Sequence, residues 1–318
     1  MRTLQRRPHD LRPKPIGIPA SDMSKPPEPK HPTARTGHHA TAKHAKSAAA
    51  PRKARRLEVE SADSFADAHE KLTKITGLQA VTALFLADPQ RAMRLYYDER
   101  MKNAAGSFCA QMARMRRPYR MVDTVELSRI AGTVLHGGIV AAAKMRPVPQ
   151  FDIEAARRWA RSGEPLVILD GVSNPHNLGA IARTLAFFGL GHLVISDHPA
   201  QAGLSDAAHR VAEGGLEYIE VYQASRLPQV LKHLQSAYRV IGTALTPKAL
   251  SPGDLPGDDR PVALVLGNEE HGLSPQTLSA CEAVVTIPGS GKVQSLNVSA
   301  TAAILIHQLA GRRQFIKR

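Results

Sequence analysis

The stretch LVILDGVSNPHNLGAIARTLAFFG, residues 166–189, decides the fold of this chain. An apolar run typical of a buried strand is followed by a loop rich in Gly, Asn and Pro, and then by a helical pattern. An apolar strand and a polar loop recur in VALVLGNEEHGLS (262–274) and in VVTIPGSGKVQSLNVSATAAILI (284–306). Ligands of open α/β sheets bind outside the carboxyl ends of the strands. We therefore expect these three loops to converge on one site.

Strand and helix patterns alternate from residue 166 onward, which predicts an α/β domain with a largely parallel sheet covered on both faces. The predicted strands span residues 166–169, 192–195, 217–221, 239–244, 262–266 and 284–287. The predicted helices span residues 178–188, 205–213, 224–236, 274–281 and 297–309. A second set of patterns predicts a small α/β/α module, with strands at 91–97, 119–122 and 138–143 and helices at 78–87, 101–115 and 124–130.

The length of 318 residues predicts about two folded domains. The small module occupies residues 66–146, and the parallel-sheet domain occupies residues 166–318. Between them, residues 147–165 (PVPQFDIEAARRWARSGEP) are predicted to be a proline-bounded linker with helical spacing. Cys109 and Cys281 fall in different domains, which favours buried free thiols over a disulfide.

A basic tail precedes both domains. Residues 1–57 contain 14 Lys or Arg and 3 Asp or Glu, so they carry +11 of the chain's net charge of +14. This segment cannot bury enough apolar surface to offset its ordering entropy, so we expect residues 1–65 to be disordered. Its charge favours RNA or another nucleic acid as partner, and a purely solubilising extension is the alternative. The small module adds a basic cluster that extends this surface or forms a solvated helix end: Arg114, Arg116, Arg117 and Arg120.

Neither a membrane protein nor a metalloprotein is indicated. No apolar segment of signal-peptide type follows the N-terminus, and no run of 18 apolar residues occurs, so we expect a cytoplasmic protein without membrane contact. The tail also lacks the amphipathic apolar face that membrane binding needs. His38, His39 and His44 lack the regular spacing of metal ligands, so no metal site is expected.

The first loop carries Asn177 and Arg183, six positions apart. Pro175 predicts a turn, and Asn177 is a suitable N-cap for a helix that begins at Leu178, so a structural role alone would account for Asn177. Arg183 is harder to explain, because its helical neighbours are apolar. A guanidinium in this position can hold a phosphate or polarise a hydroxyl, and a surface ion pair is the alternative.

The second loop is bounded by Gly267 and Gly272, which permit a tight turn close to a ligand. Between them, Glu269 either is structural or orders a nucleotide. A metal site is discounted because adjacent carboxylates and a histidine cannot easily face one ion. In the third loop, Ser295 and Asn297 either cap the last helix or form a polar floor for substrate.

The sequence Gly-Ser-Gly-Lys at 289–292 resembles part of a phosphate-binding loop. The complete pattern requires Gly at position 286, which is Thr, and Ser or Thr after Lys292, where Val293 stands. Nucleoside triphosphate binding is therefore not supported. No G-x-G-x-x-G follows the first strand of the large domain either, so a dinucleotide-binding loop is not indicated.

The order and spacing of these residues resemble the SpoU (TrmH-type) branch of the SPOUT RNA methyltransferases. The likeness covers about residues 166–309 and includes three ordered motifs. They are Asn177 with Arg183 (N-x5-R), residues 265–269 (VLGNE), and residues 287–289 with 295–299 (IPG and SLNVS).

The module at residues 66–146 is similar to the L30e-like substrate-binding domain that often precedes SpoU domains. His136 begins a His-Gly-Gly-Ile sequence where many relatives have His-Gln-Gly-Val. The long basic tail resembles that of a subgroup of tRNA/rRNA methyltransferases.

The resemblance implies a deep trefoil knot, S-adenosylmethionine bound bent within it, and a homodimer whose sites lie near the subunit interface. It implies transfer of a methyl group to a ribose 2′-hydroxyl of tRNA or rRNA. The cofactor would contact segments containing Ala244, Leu266, Gly267, Ile287, Gly289 and Leu296. The catalytic residues would be Arg183, Asn177, Glu269, Ser295 and Asn297.

In that reaction Arg183 would stabilise the developing alkoxide or act through the adjacent phosphate. Asn177, Ser295 and Asn297 would orient the ribose and the guanidinium, and Glu269 would organise the loop. Two other functions are considered. One is a non-catalytic RNA-binding or assembly factor on the same scaffold, and the other is methylation of a base rather than a ribose.

Overall fold

Two β-sheets organise the chain, one within residues 72–144 and the other within residues 166–285. The computed structural model describes the backbone of residues 72–311 and the side chains of residues 72–308. The basic tail predicted for residues 1–65 lies outside the described residues.

The first sheet is mixed, and three helices accompany its four strands. Its strands are β1 (Leu72–Thr76), β2 (Ala92–Tyr97), β3 (Tyr119–Met121) and β4 (Ile139–Lys144). Its helices are α1 (Leu78–Ala87), α2 (Lys102–Arg114) and α3 (Thr124–Ala131). The strand order is β1-β4-β2-β3, with β4 antiparallel to both neighbours and β3 parallel to β2. Ile75, Leu84 and Leu95 are fully buried in the core beneath this sheet.

The second sheet has six strands, all parallel, in the order β10-β8-β9-β5-β6-β7. These strands are β5 (Leu166–Asp170), β6 (His192–Ser196), β7 (Glu220–Ala224), β8 (Arg239–Thr243), β9 (Val262–Gly267) and β10 (Ala283–Val285). The helices are α4 (Ile153–Arg161), α5 (Pro175–Phe187), α6 (Asp206–Ala212), α7 (Leu227–Leu234), α8 (Pro275–Ser279) and α9 (Val298–Gly311). The predicted parallel α/β sheet is confirmed.

Helices cover both faces of the second sheet, because alternate residues of each strand point to opposite sides. Val167 and Leu169 of β5 pack in one core with α5, α6 and α9. Leu166 and Ile168 pack in the other core with α4 and α7. The strand is therefore apolar throughout, as is typical of a parallel sheet buried on both sides.

Helix α4 lies inside the segment predicted as a linker, and it packs against the second sheet. Ala156 and Ala160 are buried in its core. The Trp159 ring stacks on the His192 ring with centroids 3.6 Å apart. The chain between the two sheets is thus held by aromatic and apolar contacts over much of its length.

One strand was missed, and the predicted bounds of several other elements were wrong. Strand β1 was missed because its sequence, LTKIT, is short and has only two strongly apolar residues. Strand β7 begins at Glu220 rather than residue 217, because Gly214 adopts a left-handed conformation and residues 215–217 form a 3₁₀ turn. Helix α5 begins at Pro175, and its N-cap is Asn174 rather than Asn177.

The two sheets meet through polar contacts that continue into the protein interior. The Asp206 carboxylate accepts hydrogen bonds from the Thr73 hydroxyl and the Lys74 amide, both at 2.8 Å. The guanidinium of Arg91, next to β2, is buried against the Glu217 carboxylate and donates from Nε to the Lys144 carbonyl at 2.9 Å. The His209 Nδ1 atom lies 3.7 Å from the same carboxylate. Glu217 therefore joins groups from both sheets.

Candidate active site

The main cavity opens at the carboxyl ends of β8, β9 and β10 and has a volume of about 810 Å³. Its walls are the loop segments that follow these strands, together with the start of α9. They comprise residues 243–246, 267–273, 285–291, 293–298 and the side chains of Leu278, Thr301 and Leu305. The second and third predicted loops therefore meet in one cavity, and the first loop joins them through hydrogen bonds.

The loop after β9 is a closed turn. The backbones of Asn268 and Gly272 exchange hydrogen bonds of 3.1 and 2.9 Å, and the Asn268 side chain accepts from the amides of Glu270 and His271. A Cβ atom on Gly267 would lie 2.5 Å from the Gly272 carbonyl carbon. Only glycine at position 267 leaves room for this turn.

Glu269 is the centre of the polar network beside the cavity. Its Oε1 atom accepts from the Asn177 side-chain amide at 2.8 Å and from the Asn174 backbone amide at 3.2 Å. Its Oε2 atom accepts from the Ser173 amide at 3.0 Å and from the Ser173 hydroxyl at 3.1 Å. The carboxylate therefore ties the loop after β5 to the loop after β9.

The protonation equilibrium of Glu269 reflects these donors. Its partial burial would raise the pKa of the carboxyl group. The hydrogen bonds from Asn177, Ser173 and Asn174 outweigh that effect and hold the pKa below its ordinary value. Hydrogen bonds to the charged form favour ionisation, so the network is built around a carboxylate.

Asn177 extends the network to the third loop. It lies within the first turn of α5, and because Asn174 caps the helix, the Asn177 side chain is available for tertiary contacts. Its Oδ1 atom accepts from Asn297 Nδ2 at 3.1 Å. Asn297 in turn accepts from the Ser299 amide at 2.8 Å and from the Ser299 hydroxyl at 2.6 Å. Glu269, Asn177 and Asn297 thus connect all three predicted motifs.

Most of the predicted cofactor residues line the cavity. These five are Ala244, Gly267, Ile287, Gly289 and Leu296. The sixth, Leu266, is fully buried in the core and does not line the cavity. Ser295 lines the cavity and is exposed, and its role in a polar floor for substrate stays a prediction.

Arg183 lies apart from the cavity in this chain. It is exposed on α5 and is not among the described residues that line the cavity. Its Nη1 atom lies 2.9 Å from Oε1 of Glu213, which follows α6. The structure therefore brings Asn177, Glu269, Ser295 and Asn297 together, and it does not bring Arg183 to them within one chain.

Sequence reasoning missed several residues that shape the site. Asn268 donates from Nδ2 to the Gly171 carbonyl at 2.7 Å, in addition to closing its own turn. The Gln201 side chain accepts from the Val172 amide at 3.1 Å and donates to the Val172 carbonyl at 3.2 Å. Asn268 was detectable, because it stands beside Glu269 in a Gly-bounded loop. Gln201 gave no signal, because it lies in a loop of ordinary composition.

A buried pair supports the same edge of the sheet. The Thr277 hydroxyl donates to Asp170 Oδ2 at 2.7 Å, which fixes α8 against the end of β5. Cys281 lies nearby, and burial, assisted by the negative Asp170, raises the pKa of its thiol to about 12. Both cysteines are free, as predicted, but each is only partly buried.

The four arginines of the basic cluster in the small module have different surroundings. Arg117 donates to the carbonyls of Gln90 and Ala92 at 2.7 and 2.6 Å, which is a structural role. Arg120 pairs with Glu126. Arg114 and Arg116 are exposed and remain candidates for contact with a polyanion.

Within residues 72–311, no helix has the length and apolar character needed to cross a bilayer. The same part of the chain contains no cluster of three or more His, Cys, Asp or Glu side chains arranged to hold a metal ion.

Two family models match the chain, one over the residues of each sheet. The model of the SpoU rRNA Methylase family matches residues 164–307, and the model described as RNA 2′-O ribose methyltransferase substrate binding matches residues 74–149. A 23S rRNA (guanosine-2′-O-)-methyltransferase, RlmB of Acinetobacter baylyi, is 32% identical over 247 residues, which cover 74% of this chain and 96% of that protein. The chain belongs to the SpoU rRNA methylase family.

Other SpoU relatives and structures agree with this assignment. The uncharacterised tRNA/rRNA methyltransferase YfiF of Escherichia coli O157:H7 is 31% identical over 239 residues, covering 74% of this chain and 66% of that protein. The crystal structure of an AdoMet-bound rRNA methyltransferase from Sinorhizobium meliloti superposes with a TM-score of 0.62 at 22% identity, covering 76% of this chain and 88% of that one. This likeness shows that the two proteins share a fold.

Proposed function

We propose that this SpoU protein transfers a methyl group from S-adenosylmethionine to a ribose 2′-hydroxyl of tRNA or rRNA. The observation that carries the proposal is the hydrogen-bonded chain Glu269–Asn177–Asn297, which joins the three motifs beside the cavity. Family membership and the 2′-O-methyltransferase relatives support the same reaction.

The cavity has the properties that S-adenosylmethionine requires. Its volume of about 810 Å³ falls in the range of small-molecule sites. The described lining residues include the carboxylates of Glu269 and Glu270 and no Lys or Arg, which suits a sulfonium cation and disfavours a triphosphate. Leu245, Leu278 and Leu296 supply apolar surface. The segments containing Ala244, Gly267, Ile287 and Gly289 would hold the cofactor.

The chain's own residues would mainly position the substrate and stabilise charge. When bound, S-adenosylmethionine supplies a methyl group already activated on a sulfonium. The ribose is oriented by Asn177, Ser295 and Asn297. Glu269 holds the loop after β5 against the loop after β9. Arg183, which lies apart from the cavity within one chain, would reach the site of a second copy in a homodimer and face the negative charge that develops on the ribose oxygen or on its adjacent phosphate. Because a guanidinium does not release its proton in a protein, Arg183 acts electrostatically rather than as a base.

A comparison of binding and turnover tests this assignment. The Arg183→Ala variant is expected to lose turnover while its affinity for S-adenosylmethionine stays nearly unchanged. The measurement is a single-turnover assay with labelled cofactor and in vitro transcribed rRNA and tRNA, together with calorimetry of cofactor binding. Turnover of Arg183→Ala within tenfold of the wild type would overturn the role of Arg183.

We further propose a trefoil knot and a homodimer for the methyltransferase domain. Strand β10 pairs with β8 and not with β9, which precedes it, and a knot needs such a non-sequential return. Phe187 on α5 is 81% exposed and Ile304 on α9 is 40% exposed, so these neighbouring helices offer an apolar face for a second copy. Arg183 lies one turn before Phe187, and a dimer through this face would bring it to the subunit boundary. Sedimentation of a Phe187→Asp variant tests the dimer.

The small module is proposed to be an L30e-like RNA-binding domain, and the basic tail at residues 1–65 is proposed to raise RNA affinity in the cytoplasm. Each phosphate neutralised on a single strand contributes about −0.7 to the slope of log affinity against log salt. Deletion of residues 1–57 should therefore flatten that slope. An unchanged slope would show that the tail does not contribute to RNA binding.

A non-catalytic RNA-binding factor on this scaffold is the second candidate. It is disfavoured because Asn177, Glu269, Ser295 and Asn297 are all present and assembled. Calorimetry with S-adenosylmethionine separates the two functions. Nucleoside mass spectrometry of rRNA and tRNA from a deletion strain identifies the missing 2′-O-methyl mark, or a missing base methylation instead.

A further inference from the structure

We infer that Glu213 is a positioning residue for Arg183 during methyl transfer, an inference that rests on the function proposed above. The Oε1 atom of Glu213 lies 2.9 Å from Nη1 of Arg183, and both side chains are about half exposed. Within residues 72–308, Glu213 is the one carboxylate paired with Arg183.

The backbone at Glu213 is unfavourable for this residue type. Glu213 ends α6 with φ 44° and ψ 42°, in the left-handed region, where glycine or asparagine is the usual choice. A side chain with a Cβ atom is strained in this conformation. A carboxylate at the carboxyl end of a helix also opposes the helix dipole. Two separate effects therefore make glutamate a poor choice for stability at this position.

The ion pair does not compensate for that cost. Pairs between exposed side chains contribute little to stability, because water and salt screen them and both side chains lose freedom. Fold stability thus does not account for a glutamate at position 213. Orientation of the Arg183 guanidinium does account for it.

Close packing of α5 and α6 holds the pair in place. A Cβ atom on Gly179 of α5 would lie 2.4 Å from the Ala208 carbonyl oxygen of α6. A Cβ atom on Gly215, two residues after Glu213, would lie 2.7 Å from the Arg183 Cα atom. The segment that carries the carboxylate is therefore fixed against the helix that carries the guanidinium.

The chemistry requires a guanidinium with a defined direction. A guanidinium has five N–H donors in a planar fork, and the Glu213 carboxylate forms an ion pair with its Nη1 end. Anchoring one end reduces the number of side-chain rotamers and leaves the other donors for an RNA oxygen. Without the carboxylate, Arg183 would sample many orientations, and productive ones would be rarer.

The test separates turnover from stability and from binding. With in vitro transcribed rRNA and tRNA and labelled S-adenosylmethionine, Glu213→Gln and Glu213→Gly are expected to lower the single-turnover rate at least tenfold. The cofactor Kd should stay within twofold of the wild type. Glu213→Gly should raise the Tm, because glycine relieves the backbone strain. A merely structural role would not give a more stable protein with a slower reaction.

Glu220→Gln is the matched control. Glu220 lies in the same domain as Glu213 and also forms an ion pair with an arginine, Arg146, at 2.7 Å. Its turnover should equal that of the wild type. Wild-type turnover in Glu213→Gln, with loss in Arg183→Ala, would overturn the positioning role and leave the proposed function intact. Absence of methyl transfer by the wild type to every RNA tested would instead overturn the proposed function.

Discussion

The side-chain amide of Asn177 donates a 2.8 Å hydrogen bond to the Glu269 carboxylate, across 92 residues of chain. One residue lies in the first turn of α5 and the other in the turn after β9. The same carboxylate accepts three further hydrogen bonds from Ser173 and Asn174. One carboxyl group therefore extends the link between two loops beyond the paired ends of β5 and β9 and beyond the hydrogen bond from Asn268 to the Gly171 carbonyl.

Replacement of Glu269 should uncouple these loops. In Glu269→Ala the donors of Ser173, Asn174 and Asn177 lose their acceptor, and we expect a loss of about 1–3 kcal/mol in the free energy of unfolding. Cofactor affinity should fall more than tenfold. Glu269→Gln should not restore binding, because its amide NH₂ would face other donors. Urea denaturation and calorimetry with S-adenosylmethionine measure both effects, and wild-type affinity in Glu269→Gln would contradict this prediction.

The Gly267→Ala variant should still fold, but it should not bind the cofactor. The added Cβ atom would lie 2.5 Å from the Gly272 carbonyl carbon and 2.6 Å from the Leu273 amide nitrogen, so the turn must open. Gly253→Ala is the control, because a Cβ atom there has no neighbour within 4 Å. Calorimetry should detect binding for the control alone, and circular dichroism should find both variants folded.

The buried pair between Arg91 and Glu217 gives a prediction about the junction of the two sheets. Arg91→Met leaves an unpaired buried carboxylate and should lower the free energy of unfolding by about 3–5 kcal/mol. The double variant Arg91→Met with Glu217→Leu should recover most of that loss, because neither charge remains. Urea denaturation measures the free energy of unfolding of both variants. A double variant no more stable than Arg91→Met would contradict it.

His209 should make stability fall in mild acid. Burial, assisted by the positive Arg91, lowers the pKa of His209 from 6.5 to about 4. Between these values the unfolded chain binds a proton that the folded chain does not, so stability falls as the pH drops from 6.5 to 4. The free energy of unfolding would fall by at most about 3 kcal/mol over this pH range.

Glu217 opposes this trend, because burial raises its pKa despite the effect of Arg91, and a raised carboxyl pKa favours the folded state in acid. The test is urea denaturation at a series of pH values. His209→Gln should remove the decline between pH 6.5 and 4, and an equally steep decline in that variant would assign the effect to other groups.

Sequence patterns were sufficient for most of the fold and for the composition of the site. The apolar runs of β5 and β9 and the loops after them predicted the sheet, because a strand buried on both faces must be apolar throughout. The order of Asn177, Glu269 and Asn297 predicted that three loops come together, and hydrogen bonds join these three side chains, while their role in a site stays a prediction. Helix α1 was predicted with the bounds that the structure has.

Tertiary relationships without a local signal were missed. Asn177 was predicted to cap α5, but Asn174 is equally suited and stands where Pro175 can occupy the first helical position. A surface ion pair was the alternative interpretation of Arg183, and the structure shows one, but the partner Glu213 could not be identified because the pair depends on the close packing of α5 on α6. The buried group of Arg91, Glu217 and His209 joins two distant segments of the chain, and a charged residue in sequence gives no sign of its burial.

All walls of the cavity come from residues 243–305, whereas β1 to β7 lie earlier in the chain. During translation, the small module proposed to bind RNA and half of the second sheet therefore emerge before the walls of the proposed methyl-donor cavity. At about 5–20 residues per second, synthesis of the remaining stretch takes several seconds. On the proposed function, a nascent chain would gain its capacity to hold RNA before its capacity to modify it.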